Sequence, residues 1–180
     1  MERQTMGTGT ADFVYVMDDL TAFRGQPPPT KREPDVLVWL PGPPKGKGAP
    51  RAMVGKYGRM AGKAMIYPDP TTRNYEQQLK AAAEKAMAGR LPFDCALRCR
   101  VTAVFPIPVS MPKKDQALAR EGFIRPTTKP DDDNLLKCRD ALKGVAFRDD
   151  ALFVESVVRK FYGDRPGYQI EIWMWQGTML

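Results

Sequence analysis

Four carboxylates and a lysine crowd into one stretch of the chain. The run KPDDDNLLKCRDALKG, residues 129–144, sets Asp131, Asp132 and Asp133 side by side, then Lys137, then Asp140; RDDA adds Asp149 and Asp150 soon after. Helix-end chemistry accounts for part of this. A cap on Asp132 or Asp133 is worth ~1 kcal/mol, acids near a helix N-terminus suit its dipole, and Asp133 with Lys137 makes an i,i+4 pair worth roughly 0.3–0.5 kcal/mol. Asp131 is then left without a structural purpose. A divalent cation would give it one, because hard cations take carboxylate oxygens and complete their shell with water and phosphate. Asp131 and Asp133 can converge on one ion from a loop-to-helix junction, and RDDA offers a third ligand. The glycine and closing glutamate of an EF-hand loop are missing.

The rest of the composition narrows that chemistry. Histidine is absent from all 180 residues, which excludes a histidine base, histidine-ligated zinc and the Ser-His and Cys-His dyads. Lysine and arginine number 28 against 21 acids, a net charge of +7. A basic surface beside a cation site points to phosphodiester chemistry: the ion activates water and neutralises developing charge, and a lysine one turn away stabilises the same charge. The basic residues concentrate between Pro41 and Ile66, where Lys45, Lys47, Arg51, Lys56, Arg59 and Lys63 occur with six glycines and no acid. Phosphate contact is the natural use of such a loop. Gly42–Lys47 is one residue short of a P-loop, and Gly48 stands where that motif needs Ser or Thr.

These residues need a scaffold. Residues 1–34 read as an extension ending in the proline-rich linker RGQPPPTKREPD, and residues 35–180 as one domain. DVLVWLPG is a short strand. A helix over 72–88 is capped by Thr71 or Thr72 and stopped by Gly89. ALRCRVTAVFPIP alternates as a half-buried strand. A long basic connection over 108–130 holds a helical turn near Gln116–Arg120. The second helix runs from Asp132 to Lys143, with Leu135, Cys138 and Leu142 on its core stripe and Asp133, Lys137 and Asp140 opposite. ALFVESVVRKFYG, the turn GDRPG and YQIEIWMW then form a hairpin. The order is β-α-β-α-β-β, an α/β (α+β) fold with helices packed on a small mixed sheet.

KPDDDNLLKCRDAL followed by FRDDALFVESVVRKFYG resembles the RusA family of Holliday-junction resolvases, especially its phage and prophage branch. The family pattern is D-x-D-N-x-x-K, then a D-D-A or D-D-S step into a strand. PPKGKGAPRAM and IYPDPTTRNYEQQL look like its basic loop and helix entry, so the similarity covers roughly residues 35–175. The resemblance implies a RusA-like intertwined homodimer that cuts four-way DNA symmetrically with Mg²⁺ (Mn²⁺ as a substitute), in recombination and repair. Position by position, it puts catalytic, metal-binding acids on Asp131, Asp133 and Asp150 and the catalytic lysine on Lys137. Asn134 matches the family's asparagine and would brace the loop; Asp149 matches a position often acidic. Asp132 is additional and is expected to face solvent. Lys45, Lys47, Arg51, Lys56 and Arg59 would contact DNA, although this loop is looser than the family's K-G-R-P-R spacing.

Two other readings stay open: a less selective nuclease acting on branched or single-stranded DNA, and a DNA-binding protein whose acids hold a structural cation. The sparse cysteines Cys95, Cys99 and Cys138 argue for buried thiols in a reducing compartment. No apolar run reaches the roughly 18 residues that span a bilayer, so the expectation is a soluble protein, cytoplasmic in a bacterial or phage-infected cell.

Overall fold

A computed structural model describes residues 32–48, 51–54, 64–67 and 69–176. The expected extension lies almost wholly outside these residues, as do Lys56 and Arg59. All elements below belong to the unit Glu33–Leu180.

The chain order is β1 (Val36–Pro41), β2 (Arg51–Val54), β3 (Ala64–Tyr67), α1 (Pro70–Met87), β4 (Leu97–Pro106), α2 (Lys113–Arg120), α3 (Asp132–Leu136), a 3-10 segment Lys137–Leu142, a 3-10 turn Asp150–Leu152, β5 (Phe153–Gly163) and β6 (Gly167–Met174). A mixed sheet runs β1-β6-β4-β5, and β2 pairs with β3 apart from it. This is the expected mixed α+β class. The stretch read as a loop from Pro41 to Ile66 contains the added antiparallel pair, with Arg51 opposite Tyr67.

The expected hairpin of the last two strands does not form. β4 lies between them, parallel to β5 and antiparallel to β6. β6 has both faces largely covered, β4 alternates between buried and half-buried positions, and β5, at the edge, is only partly covered along its length. With Gly163 opposite Pro106 and Gly167 opposite Val104, Asp164–Pro166 steps across the end of β4.

Helix α1 begins two or three residues earlier than a Thr71 or Thr72 cap would allow. Asp69 is the cap, its Oδ2 accepting from the amides of Thr71 at 3.1 Å and Thr72 at 3.3 Å, and Pro70 occupies the first turn. Ala88, at φ 48°, and Gly89, at φ 79°, end it. Its buried stripe, Thr72, Tyr75, Leu79, Ala83 and Met87, has helical spacing and packs with Val36, Val38, Cys99, Val101, Ile170 and Ile172. Each such large side chain contributes roughly 1.5–3 kcal/mol when fully buried.

The expected turn near Gln116–Arg120 is the longer α2. The expected single helix Asp132–Lys143 is a short α-helix that tightens into a 3-10 segment after Leu136. Carbonyls that would accept α-helical bonds are contested at the junction: Asn134 O accepts from Lys47 N at 3.0 Å, and Leu135 O accepts from the Tyr168 hydroxyl at 2.5 Å. Cys99 and Cys138 are buried as expected, but Cys95 is exposed. Among the described residues, no helix is long and apolar enough to cross a membrane.

Candidate active site

The acidic turn is built from β5 upward. Lys160 Nζ donates to the carbonyls of Thr128 at 2.5 Å and Pro130 at 3.0 Å, holding the chain as it enters Asp131. Asp131 is the helix cap: its Oδ1 accepts from Asn134 N at 3.1 Å. The acid that seemed structurally superfluous therefore has a local purpose, and a cation is not needed to explain its presence. Asp132 Oδ1 accepts from Asp133 N at 3.0 Å, and Asp132 is exposed, as expected.

Asp133 and Lys137 form the expected i,i+4 pair at 2.5 Å, with side chains 65% and 51% exposed. The bond from Asp133 and its charge raise the Lys137 pKa, so the ammonium stays charged. Leu135, Cys138 and Leu142 face the core, and burial pushes the Cys138 thiol up to about 12. That thiol is 3.3 Å from Lys45 O and 3.4 Å from Asn134 O.

Asp149 and Asp150 occupy a second turn. Asp149 Oδ1 caps Ala151 N at 3.0 Å. Lys143 Nζ lies 2.7 Å from Asp149 Oδ2 and 3.0 Å from Asp150 Oδ1. The Lys143 hydrogen bond, followed by that from Ala151 N, lowers Asp149 to about 2, and the same two carboxylates raise Lys143 to about 12. Lys143 was not anticipated from the sequence; its usefulness depends on how the chain returns after Gly144.

Arg139 was also missed. Four residues after Leu135 and three before Leu142, it borders the core stripe at a 3.6-residue period, and in the 3-10 segment, where residues three apart line up, it follows Leu142 inward. It is 9% exposed. Its guanidinium donates to Ser156 Oγ at 2.9 Å and Cys99 Sγ at 3.4 Å and lies 3.9 Å over the Phe153 ring, while Nε has no partner among the described residues. It thereby ties the Lys137 segment to the strand that follows Asp150.

The basic loop is divided. Lys45 is exposed, but Lys47 Nζ is 3.4 Å from both Glu76 Oε1 and Asp140 Oδ2. Burial disfavours its charge, yet the two carboxylates outweigh burial and raise its pKa. Arg51 is placed by its backbone in β2, and Lys56 and Arg59 lie outside the described residues.

The donor chemistry of the acidic turn, hard carboxylate oxygens without imidazole, suits a divalent cation of the Mg²⁺ type. The expected three-carboxylate cage is not assembled: among the described residues no three His, Cys, Asp or Glu side chains cluster closely enough to hold an ion. Asp131 and Asp133 share one turn, whereas Asp150 is held by Lys143 on another.

A small mixed sheet thus carries exposed acids and lysines at a helix start. The sequence profile described as Endodeoxyribonuclease RusA matches residues 41–173. The chain belongs to the RusA family of endodeoxyribonucleases, whose members resolve Holliday junctions and generally depend on a divalent metal. A relative in Bacillus subtilis (strain 168), described as the uncharacterized protein YqaN, is 31% identical over 137 residues, 73% of this chain and 90% of the relative.

Proposed function

We propose that this protein is a Mg²⁺-dependent endodeoxyribonuclease that resolves four-way DNA junctions by paired symmetrical nicks, acting as a homodimer. The observation that carries the reading is the exposed Asp133–Lys137 pair beside the Asp131 cap, on a turn adjoining the acid-free Lys45 loop. An exposed, single-point ion pair is worth little, so both side chains are free to exchange each other for substrate and cofactor.

Asp131 and Asp133 would hold the ion, with Asp150 completing the set once it leaves Lys143. When bound, the ion supplies charge neutralisation at the phosphate and a more acidic water. Lys137 Nζ, released from Asp133, donates to a non-bridging phosphate oxygen, whose negative charge takes the place of the carboxylate beside the ammonium. Asn134 braces the turn, its amide held by Asp131 and its carbonyl by Lys47. Asp149 keeps Lys143 near Asp150. Lys45, Arg51, Lys56 and Arg59 track the DNA backbone. Paired nicks need two sites related by a two-fold axis, which an isologous dimer supplies. The apolar strand β6 is interior to its own sheet, so its backbone is not available for pairing between subunits.

The test is cleavage of a labelled four-way junction beside linear duplex and single strands, with and without Mg²⁺, together with light scattering. Paired nicks in the junction alone, Mg²⁺ dependence and a dimer mass are expected. Equal cutting of every substrate favours the less selective nuclease. Junction binding without cleavage favours a DNA-binding protein with a structural cation.

A further inference from the structure

The segment Lys45–Gly48 touches the acidic turn and α1 at every residue. Cys138 Sγ is 3.3 Å from Lys45 O. A Cβ on Gly46 would lie 2.5 Å from Pro130 Cβ and 3.1 Å from Asn134 Cβ, so only glycine lets the backbone pass so close to the residues flanking Asp131 and Asp133. Lys47 N donates to Asn134 O at 3.0 Å. Lys47 Nζ spans from Glu76 on α1 to Asp140 on the 3-10 segment, 3.4 Å from each. Gly48 N donates to Thr72 Oγ1 at 3.2 Å. Lys45 and Lys47 are thus chemically alike and differently used: one side chain is exposed, and the other is engaged between two carboxylates of its own chain.

We propose that Lys45–Gly48 is a positioning strap for the acidic turn, and that Lys47 serves the reaction through Asn134 and Asp140 and does not contact DNA. The catalytic half of this proposal rests on the endonuclease reading; the structural half does not. The strap closes on the carbonyl of Asn134, within the turn that carries Asp131, Asp133 and Lys137. A small shift there would move the acids together with the lysine, which is how a residue remote from the reacting atoms can control a rate.

The experiment uses the full chain and three variants. Lys47→Gln removes both ion pairs, Thr72→Val removes the acceptor for Gly48 N, and Lys45→Gln changes only the exposed cation. Hydrogen exchange is followed without DNA or metal. Exchange at the Leu135 amide should quicken about tenfold in Lys47→Gln and in Thr72→Val, and stay as in wild type in Lys45→Gln, because local opening is set by local contacts. Amides of β4 should not change in any variant, which separates loosening of the turn from global unfolding. In metal-free junction binding, Lys45→Gln should lower the slope of log K against log salt by about 0.9, and Lys47→Gln should leave it unchanged. Single-turnover cleavage at saturating junction should fall in Lys47→Gln and recover largely in Lys47→Arg. Unchanged Leu135 exchange in both strap variants overturns the proposal, as does a salt slope lowered equally by Lys47→Gln and Lys45→Gln. If the wild-type chain cuts no DNA, the endonuclease reading fails, while the exchange and salt measurements still decide the strap.

Discussion

The same chemical pair, a carboxylate with a cation, is built in two ways in this molecule. On the sheet, Arg100 meets Glu171 through two bonds, Nε to Oε2 at 2.6 Å and Nη2 to Oε1 at 3.0 Å, and the Glu171 side chain is only 6% exposed. Arg98 and Arg100 both lie near the Trp173 ring, at 4.9 and 5.2 Å from its centre. On the acidic turn, Lys137 meets Asp133 through one bond with both partners more than half exposed, and Lys143 is shared between Asp149 and Asp150. A bidentate, desolvated arginine pair is fixed in geometry and costly to break. A single-point lysine pair in water is neither. The sheet pair holds two strands in register; the turn pairs keep charges in place that can be given up to a ligand.

The largest effect should come from the turn. Asp133→Asn keeps the size of the side chain and leaves Asp131 as the cap. The fold should therefore persist, with an unchanged thermal transition, and metal-free junction binding should stay equal or tighten as a repelling charge is removed. Cleavage in Mg²⁺ should fall by orders of magnitude, since each ~1.4 kcal/mol of lost transition-state stabilisation is tenfold in rate. A folded Asp133→Asn protein that cuts at the wild-type rate would end both the nuclease assignment of this turn and the contrast with the sheet.

That contrast was only half legible in the sequence. The core stripe Leu135, Cys138 and Leu142 and the pair Asp133–Lys137 follow from helical spacing, and both are present. The alternation of β4 likewise placed Leu97, Cys99 and Val101 inward. What local pattern could not carry was anything decided by distant partners. The turn between β5 and β6 looks like a hairpin, yet β4 enters between them, because strand order is set by pairing between segments distant in the sequence. The helix shortens where Lys47 and Tyr168 claim its carbonyls, and in the 3-10 segment that follows Arg139 lines up with the buried Leu142. Lys47 and Lys45 are indistinguishable in a string of letters; only the approach of Gly46 to Pro130 and Asn134 separates them. The argument by elimination for a cation at Asp131 lost its force for a similar reason, since Asp131 is the cap and the cap could be chosen only once the helix start was located.

The next effect belongs to the sheet and should appear in stability. Glu171→Gln removes the charge opposite Arg100 and cannot reproduce two charged bonds, so the partly buried Arg100 guanidinium loses this carboxylate. The loss should be about 3 kcal/mol, read as a lower urea midpoint at unchanged slope. Junction cleavage well below the transition should be retained, because the pair lies on strands that carry none of the candidate catalytic residues. A loss smaller than about 1 kcal/mol would place this pair in the same class as the exposed ones and remove the distinction.

The smallest effect concerns Asp149 and Lys143, and its sign can be worked out. Lys143, and secondarily the Ala151 amide, hold the Asp149 carboxyl at about 2 against an ordinary value of 3.8. A depressed carboxyl binds its proton more weakly in the folded chain than in the unfolded one. Its contribution to stability is therefore fully present above about pH 4 and is lost as pH falls through about 2. Lys143, raised to about 12, remains charged throughout that window. Lys143→Gln should remove much of the depression, so that the stability difference between wild type and variant, measured by urea unfolding at pH 5 and again at pH 2.5, narrows at the lower pH. Carboxylates elsewhere titrate in both proteins and cancel in the difference. The narrowing should be slight, since both partners are about half exposed and water screens them. It should also shrink in added salt, whereas the deficit of Glu171→Gln should not. Parallel acid limbs for wild type and Lys143→Gln would mean that Lys143 does not hold Asp149 in solution.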